Sequence, residues 1–412
     1  MPPSDPPRPA YRWLVVALLF LAMVLSYVDR QTIGLLKGEM SAAMHWSNSD
    51  YANVHIGFQA AYAICYLLWG RVVDRFGAKL GLALAFALWT VTQMATSGAR
   101  NLAQFALARA CLGAGESGAF PAAVKAVAEG FPQTERAFAS GLFNSGSNIG
   151  AIVTPLAVPA VALAFGWRAA FLVTGALGLA FLPLWLWLYR RPDTQAAQVR
   201  ADPLPWRLTL ARRQTWAYGL GKMLTDPVFG MYLVWLPDFL SRRYHLGLAQ
   251  VGLPLAAIYL LSDIGSVAGG WLSSMLIRKG HGVGFARKIT FAVCAACATP
   301  VVCAPLTGNL WTTVAIVGLA AAAHQGFSAT LYALPGDLIP PRGIATVTGL
   351  GGLLGAGAGI LMSKYTGYVL DAGLSYLPVF AVCAAAYWCA LGVIHLLAPR
   401  FEAKSVPVTH RL

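Results

Sequence analysis

Two oppositely charged residues interrupt the first long apolar segment of the chain. Asp29 and Arg30 lie side by side within residues 13–35, which are otherwise largely apolar. A charged side chain costs at least ~2.5 kcal/mol in the hydrocarbon of a bilayer on insertion scales, so charges in such segments usually serve function. A guanidinium can bind a carboxylate through two parallel hydrogen bonds. The pair therefore predicts a path for an anion and a proton.

Arg109 and Glu116 place a second base and a second acid in another apolar segment. Seven residues make two helical turns, so both side chains fall on one helix face with a rise of about 10 Å between them. We expect Asp29 to pair with Arg109, which leaves Arg30 to bind a substrate carboxylate. Glu116 lies among glycines with no adjacent base, and burial there favours its neutral form, so we assign proton coupling to Asp29, Arg109 and Glu116. Alternatively, all four residues form a structural salt-bridge network, although a buried ionic cluster stabilises no better than apolar packing.

The composition is that of a membrane protein. The 412 residues are 58% hydrophobic and 11% charged, whereas soluble proteins carry about 25% charged residues. A run of about 20 apolar residues spans a bilayer as a helix. The sequence therefore predicts an all-α polytopic membrane protein with twelve transmembrane helices, at residues 13–35, 52–73, 80–97, 102–128, 137–163, 168–189, 215–240, 249–277, 288–306, 310–335, 343–370 and 375–397.

A polar connection at residues 190–214 divides the predicted helices into two lobes of six. The lobes cover residues 13–189 and 215–397, and cytoplasmic tails cover residues 1–12 and 398–412. Two six-helix halves of similar length are typical of transporters that contain internal repeats.

Equivalent loops follow the second helix of each half. Gly70 begins a loop that ends at Lys79, and Gly270 begins a degraded copy 200 residues later that lacks the acid. This spacing indicates an internal duplication. Asp74, Arg75 and Lys79 lie at the predicted membrane boundary, too far from its middle to bind substrate. We expect them to act in gating, as a latch between the halves through a helix end and ion pairs.

The net charge of +14 is distributed as in a membrane protein and argues against nucleic-acid binding. With both termini cytoplasmic, most Lys and Arg residues fall on the cytoplasmic side, as the positive-inside rule requires. Attraction to anionic lipid is a secondary effect. The sequence thus predicts a multi-pass protein of a bacterial cytoplasmic (inner) membrane, acting as a monomer in the lipid bilayer.

Several segments resemble known transporters. The loop after the second predicted helix resembles the signature of the major facilitator superfamily. Residues 27–31, 108–121 and 143–150 resemble the anion:cation symporters of that superfamily. Within that group the chain is most similar to the hexuronate transporters, which residues 324–328 and the following Pro335-to-Leu338 segment also fit.

The resemblance implies proton-coupled symport of a sugar acid, a hexuronate such as galacturonate or glucuronate, by alternating access. It places Arg30 at a substrate-binding position and Glu116 at a proton-coupling position. The chain departs from some sugar-acid transporters in residues 343–370, which are rich in glycine and contain no Asn or Gln. Contacts from the second half to sugar hydroxyls therefore stay open at this point.

Further polar and aromatic residues within the spans are candidates for substrate binding. Hydroxyl and amide groups suit sugar hydroxyls, and aromatic rings can stack on the apolar face of a sugar. Each candidate has a structural alternative: helix packing for the aromatic residues, a helix–helix hydrogen bond for Asn148, and a satisfied core histidine for His324. Lys222 and Asp226, four residues apart, can satisfy each other, whereas Asp263 has no obvious partner in its own span. The candidates are Tyr27, Tyr62, Ser147, Asn148, Tyr232, Trp235, His324 and Gln325.

Other classes of function lack a sequence signal. The chain has no Walker-type phosphate loop, which disfavours ATP-driven transport. We find no clustered nucleophile and base and no set of metal ligands, so the sequence predicts neither an enzyme nor a cofactor or metal site. A channel would need a continuous polar stripe, and the chain has isolated charges instead. Transport of another organic anion (an aldonate, a dicarboxylate or an aromatic acid) and exchange instead of symport stay open.

Overall fold

The described part of the chain folds entirely into helices joined by short connections. A computed structural model describes residues 9–190, 203–246 and 248–401. The rest of the predicted tails and linker lies outside the described residues. The first half contains α1 Pro9–Leu35, α2 Lys37–Met44, α3 Asn48–Thr96, α4 Leu102–Glu116, α5 Ala119–Gly130, α6 Gln133–Phe165 and α7 Trp167–Leu188. The second half contains α8 Trp206–Leu210, α9 Arg213–Tyr244, α10 Leu248–Arg278, α11 Val283–Ala298, α12 Leu310–Leu338, α13 Ile344–Asp371 and α14 Leu377–Leu397, with 3-10 turns at Thr299–Leu306 and Pro341–Gly343.

Several observed helix boundaries differ from the predicted ones, and two of the larger differences lie at glycines. The spans predicted at 52–73 and 80–97 are joined in α3, which kinks at Gly77, where φ is 82°. That backbone conformation favours glycine because it has no Cβ. The span predicted at 102–128 is instead interrupted between α4 and α5, where a Cβ on Gly118 would lie 2.6 Å from the Cβ of Ala85.

The helices account for the twelve predicted spans. Among the described residues, nine helices are long and apolar enough to cross a membrane. One of them, α3, contains two spans, and the interrupted pair α4–α5 and the more polar α9 complete the set. The twelve-helix, all-α architecture predicted from the sequence is therefore confirmed.

Large apolar side chains cover the outer surface of the helix bundle. Leu163, Phe165, Trp187 and Leu396 are each between 74% and 84% exposed. Such a surface would be a liability in water, but it is what a helix presents to lipid.

Glycines allow the two lobes to approach closely at one end of the bundle. A Cβ on Gly70 of α3 would lie 2.5 Å from the carbonyl oxygen of Ala345 in α13. A Cβ on Gly270 of α10 would lie 2.4 Å from the carbonyl oxygen of Ala137 in α6. Both glycines begin the repeated loop of their half. The duplication seen in the sequence therefore corresponds to the same backbone contact made twice across the lobe interface.

Candidate functional site

Arg30 of α1 forms an ion pair with Glu116 of α4. Its Nε and Nη2 atoms both donate to Oε2 of Glu116, at 3.0 and 2.9 Å. The Glu116 side chain is completely buried, whereas that of Arg30 is 24% exposed. The guanidinium thus contacts a fully buried acid while part of the arginine side chain stays accessible.

Aromatic rings surround the guanidinium. Cζ of Arg30 lies 4.6 Å from the ring centroid of Tyr62, 4.9 Å from that of Tyr27 and 5.5 Å from that of Phe58. Aromatic faces attract cations and fix their orientation. The structure therefore brings two of the predicted substrate-binding tyrosines into contact with the predicted substrate-binding arginine.

Small residues of α4 bring Glu116 into the interior. A Cβ on Gly113 would lie 2.4 Å from the carbonyl oxygen of Phe58, and one on Gly115 would lie 2.7 Å from the backbone nitrogen of Trp89. Both contacts are with α3, so α4 packs backbone to backbone against it. Glu116 follows directly on this contact, which explains its complete burial.

The expected ion pair between Asp29 and Arg109 is wrong. Arg109 is buried and donates from Nη1 to the main-chain carbonyl of Asp29 at 3.4 Å and from Nη2 to that of Arg30 at 3.3 Å. The Asp29 carboxylate is buried, and neither of its oxygens accepts a hydrogen bond from the described residues. Arg109 thus supports the α1 backbone at the level of Arg30. Glu116, for which no adjacent base was expected, forms the ion pair with Arg30 instead.

Lys222 and Asp226 of α9 form an ion pair in the second lobe. Lys222 Nζ lies 2.8 Å from Asp226 Oδ2, as their spacing predicted. Lys222 also donates to the Tyr332 hydroxyl at 3.2 Å. Tyr332 stacks on Phe120 of the first lobe, with ring centroids 5.3 Å apart. The pair therefore lies beside an aromatic contact between the lobes.

Amide side chains of α6 form hydrogen bonds across the lobe interface. Nδ2 of Asn148 donates to Oδ1 of Asp263 at 2.7 Å, which supplies the partner that the sequence did not reveal. Nδ2 of Asn144 donates to Oε1 of Gln325 at 3.0 Å. The hydroxyl of Ser147 donates to the carbonyl of Asn144 within the same helix. Asn148 and Gln325 thus lie where the two lobes meet.

Asp74 of α3 contacts the start of α13 in the other lobe. Its carboxylate accepts hydrogen bonds from the backbone N–H groups of Ala345 at 3.1 Å and Thr346 at 2.7 Å, and from the Thr346 hydroxyl at 2.6 Å. It also pairs with Lys125 of its own lobe at 2.8 Å. A carboxylate at a helix N-terminus is favourable because of the exposed N–H groups and the helix dipole. Arg75 is exposed nearby.

Comparison with known proteins agrees with this architecture. A family model of the Major Facilitator Superfamily matches residues 19–363. The chain belongs to the Major Facilitator Superfamily. It is 30% identical to the hexuronate transporter of Escherichia coli strain K12 over 393 residues, which cover 90% of each chain. It is 26% identical to the D-galactonate transporter of Escherichia coli O6:H1, over 91% of this chain and 92% of that one.

Solved structures give the same fold. The chain resembles the proton:xylose symporter solved with 6-bromo-6-deoxy-D-glucose, with a TM-score of 0.77 at 13% identity, over 95% of this chain and 97% of that one. Together these likenesses confirm the predicted family and identify a membrane-spanning transport protein with bacterial relatives rather than an enzyme.

Other predicted site residues of this superfamily member lie inside the second lobe. Nδ1 of His324 is 3.0 Å from the Tyr387 hydroxyl, and its ring stacks on Phe229, so it has the contacts of a core histidine. Tyr232 is fully buried, near Cys383 of α14. Trp235 is half-buried. In this conformation Tyr232 and His324 face their own lobe.

A second cross-lobe ionic cluster was missed by sequence reasoning. Asp337 of α12 pairs with Arg136 of α6 and with Arg287 of α11, each at 3.0 Å. Arg287 also donates to the carbonyl of Gln133. Asp337 lies in a segment that the sequence singled out, but its partners are 50 and 201 residues away. No local spacing could have found them.

Lys79, expected in the latch, accepts a hydrogen bond from Trp185 through its carbonyl.

Proposed function

We propose that this carrier symports a sugar acid with protons by alternating access, and that the sugar acid is a hexuronate such as galacturonate or glucuronate. The observation that carries the proposal is the contact between Arg30 and Glu116. The similarity to a hexuronate transporter along 90% of the chain supports the substrate class.

Competition between two carboxylates for one guanidinium would couple substrate to proton. Arg30 donates two hydrogen bonds to Glu116, and these are the same donors that a substrate carboxylate needs. A proton taken up by Glu116 removes its negative charge and frees the guanidinium for substrate. Release of the substrate and then of the proton restores the pair. Asp29 and Arg109 lie next to this pair and would set its charge balance.

Alternating access would depend on contacts at the closed end of the bundle. Asp74 and Asp337 each link the lobes through charged hydrogen bonds, and both contacts must break before that end can open. We propose that this end and both termini lie in the cytoplasm of a bacterium, as the positive-inside rule favours, and that the carrier acts in the inner membrane as a monomer. The conformation described here would then face outward.

Glu116→Gln tests the coupling in proteoliposomes. Glutamine imitates the protonated acid, so exchange of external for internal galacturonate should persist while accumulation driven by an inward proton gradient fails. The control is Glu135→Gln, which removes the acid of an ion pair with Arg12 elsewhere in the lobe. Accumulation by the Glu116→Gln variant at the wild-type level would remove Glu116 from the proton path.

The similarity to a D-galactonate transporter favours one alternative substrate class, the aldonates. An aldonate also carries one carboxylate and several hydroxyls, so it would use Arg30 in the same way. A thermal-shift screen separates the classes, because a ligand at 100 times its Kd stabilises a protein by about 2.7 kcal/mol. Uronates, aldonates, dicarboxylates and aromatic acids should be compared at equal concentration.

A further inference from the structure

The ion pair of Lys222 and Asp226 has one buried and one accessible member. The Lys222 side chain is 3% exposed, whereas that of Asp226 is 26% exposed. Arg30 and Glu116 in the first lobe show the reverse arrangement, because there the cation is the accessible member. Each lobe thus offers one partly exposed charged group with a buried counter-ion.

Contacts across the lobe interface link the two pairs. Tyr332, which accepts a hydrogen bond from Lys222, stacks on Phe120 of the first lobe. Tyr66 of the first lobe packs on Tyr62, which contacts Arg30, and Tyr66 and Asp226 both lie against α13, at Gly352 and Gly355. A molecule bound to Arg30 would therefore extend towards Asp226.

Glycines of α13 provide the room for this arrangement. A Cβ on Gly355 would lie 2.4 Å from Oδ2 of Asp226, and one on Gly352 would lie 2.5 Å from the Tyr66 ring. An amide side chain at either position would displace these groups. This helix contains no Asn or Gln, and the polar group at this position is Asp226 of α9, which lies against Gly355.

The charge balance of the pair decides what it can bind. One ammonium and one carboxylate sum to zero, so the pair offers no uncompensated charge to an anion. Together they offer a hydrogen-bond donor and an acceptor, which is what a hydroxyl group requires. A second carboxylate would meet the accessible Asp226 and be repelled.

We propose that Lys222 and Asp226 form the subsite for the uncharged, hydroxyl-bearing end of the substrate, and that Asp226 excludes a second carboxylate from it. The inference rests on the proposed function, since it takes the first carboxylate to bind at Arg30. In this proposal the second lobe contacts the sugar hydroxyls through Lys222 and Asp226 of α9, because the glycine-rich α13 has no amide side chain to do so.

Asp226→Asn tests the subsite by changing its charge. The variant should bind galacturonate at least about tenfold more weakly, because it loses a charged acceptor. It should bind galactarate, the corresponding dicarboxylate, at least about tenfold more tightly than wild type does, because Lys222 is left without a counter-ion. Titration calorimetry on purified protein measures both affinities.

Two further variants make the result decisive. The double variant Lys222→Gln with Asp226→Asn restores zero net charge, so it should lose the gain for galactarate that the single variant shows. Asp238→Asn is the matched control, because Asp238 pairs with Arg242 four residues later on the same helix but is more exposed. It should leave both affinities unchanged.

The two proposals fail in different ways. If wild type binds galacturonate while Asp226→Asn binds it equally well and still rejects galactarate, the subsite is refuted and the proposed function stands. If wild type binds no sugar acid, the proposed function is refuted and the subsite with it.

Discussion

Replacing Asp74 with asparagine should weaken the contact that closes one end of this carrier. The carboxylate accepts three hydrogen bonds from Ala345 and Thr346 of the opposite lobe. Asparagine keeps one acceptor oxygen and carries no charge. The ion pair with Lys125 lies within one lobe, and in the variant Lys125 keeps its own hydrogen bond to the Pro341 carbonyl of the other lobe.

The magnitude follows from the contacts that cross the interface. A hydrogen bond to a charged group contributes about 1.5–3 kcal/mol. A carboxylate at a partly buried helix N-terminus contributes up to about 2 kcal/mol, and the two terms overlap. We therefore expect the closed end to lose about 3 kcal/mol relative to the open state, which changes the ratio of the two conformations about 100-fold.

Distance measurements between spin labels report this shift directly. Leu80 and Lys279 are exposed residues of opposite lobes and can carry the labels in a background without the seven native cysteines. Asp74→Asn should add a population with a longer distance and change the rate of substrate exchange, while Arg30 and its substrate contacts stay intact.

Asp50 provides the matched control. Like Asp74 it is an acid at a helix start, but the helix is its own, α3, and not a helix of the other lobe. Hydrogen bonds from Ser47 lower the pKa of its carboxyl below the usual range, and the contact stays within one lobe. Asp50→Asn should leave the distance distribution unchanged. If Asp74→Asn also leaves both the distances and the exchange rate at wild-type values, the carboxylate is not a latch.

Two other substitutions test the site and the interface. Arg30→Lys should weaken substrate binding at least about tenfold without unfolding the protein, because an ammonium cannot reproduce the two parallel hydrogen bonds of the guanidinium; an unchanged KM for galacturonate uptake would place the substrate elsewhere. Gly270→Ala should separate the lobes at the closed end, because the added Cβ would lie 2.4 Å from the Ala137 carbonyl oxygen. The same spin labels should report longer distances, whereas Gly359→Ala, which meets nothing within 4 Å, should not change them.

The helix count could be read from the sequence because the bilayer imposes the length of each span. Apolar runs of about 20 residues have one stable form in hydrocarbon, since only a helix satisfies its own backbone there. The larger differences lie at the kink of Gly77, at the break next to Gly118, and at Thr299, where the span predicted at 288–306 changes to a 3-10 helix. The duplicated loops could also be read from the sequence, and their first residues, Gly70 and Gly270, lie where the halves meet.

The partners of the buried charges were decided by the tertiary structure. The sequence identified Asp29, Arg30, Arg109 and Glu116 as residues that must be compensated, because an isolated charge is costly in hydrocarbon. It could not say which acid meets which base, since that depends on how α1 and α4 are rotated about their axes. Their packing turns Arg30 towards Glu116 and Arg109 towards main-chain carbonyls.

Contacts between residues far apart in sequence could not be predicted, whereas contacts within one helix could. Lys222 and Asp226 are four residues apart, and helical spacing alone predicted their contact. Asn148 and Asp263 are 115 residues apart, and only the packing of α6 against α10 joins them. Local periodicity thus determined which residues share a helix face, whereas the packing of helices that are distant in sequence decided which of those faces meet.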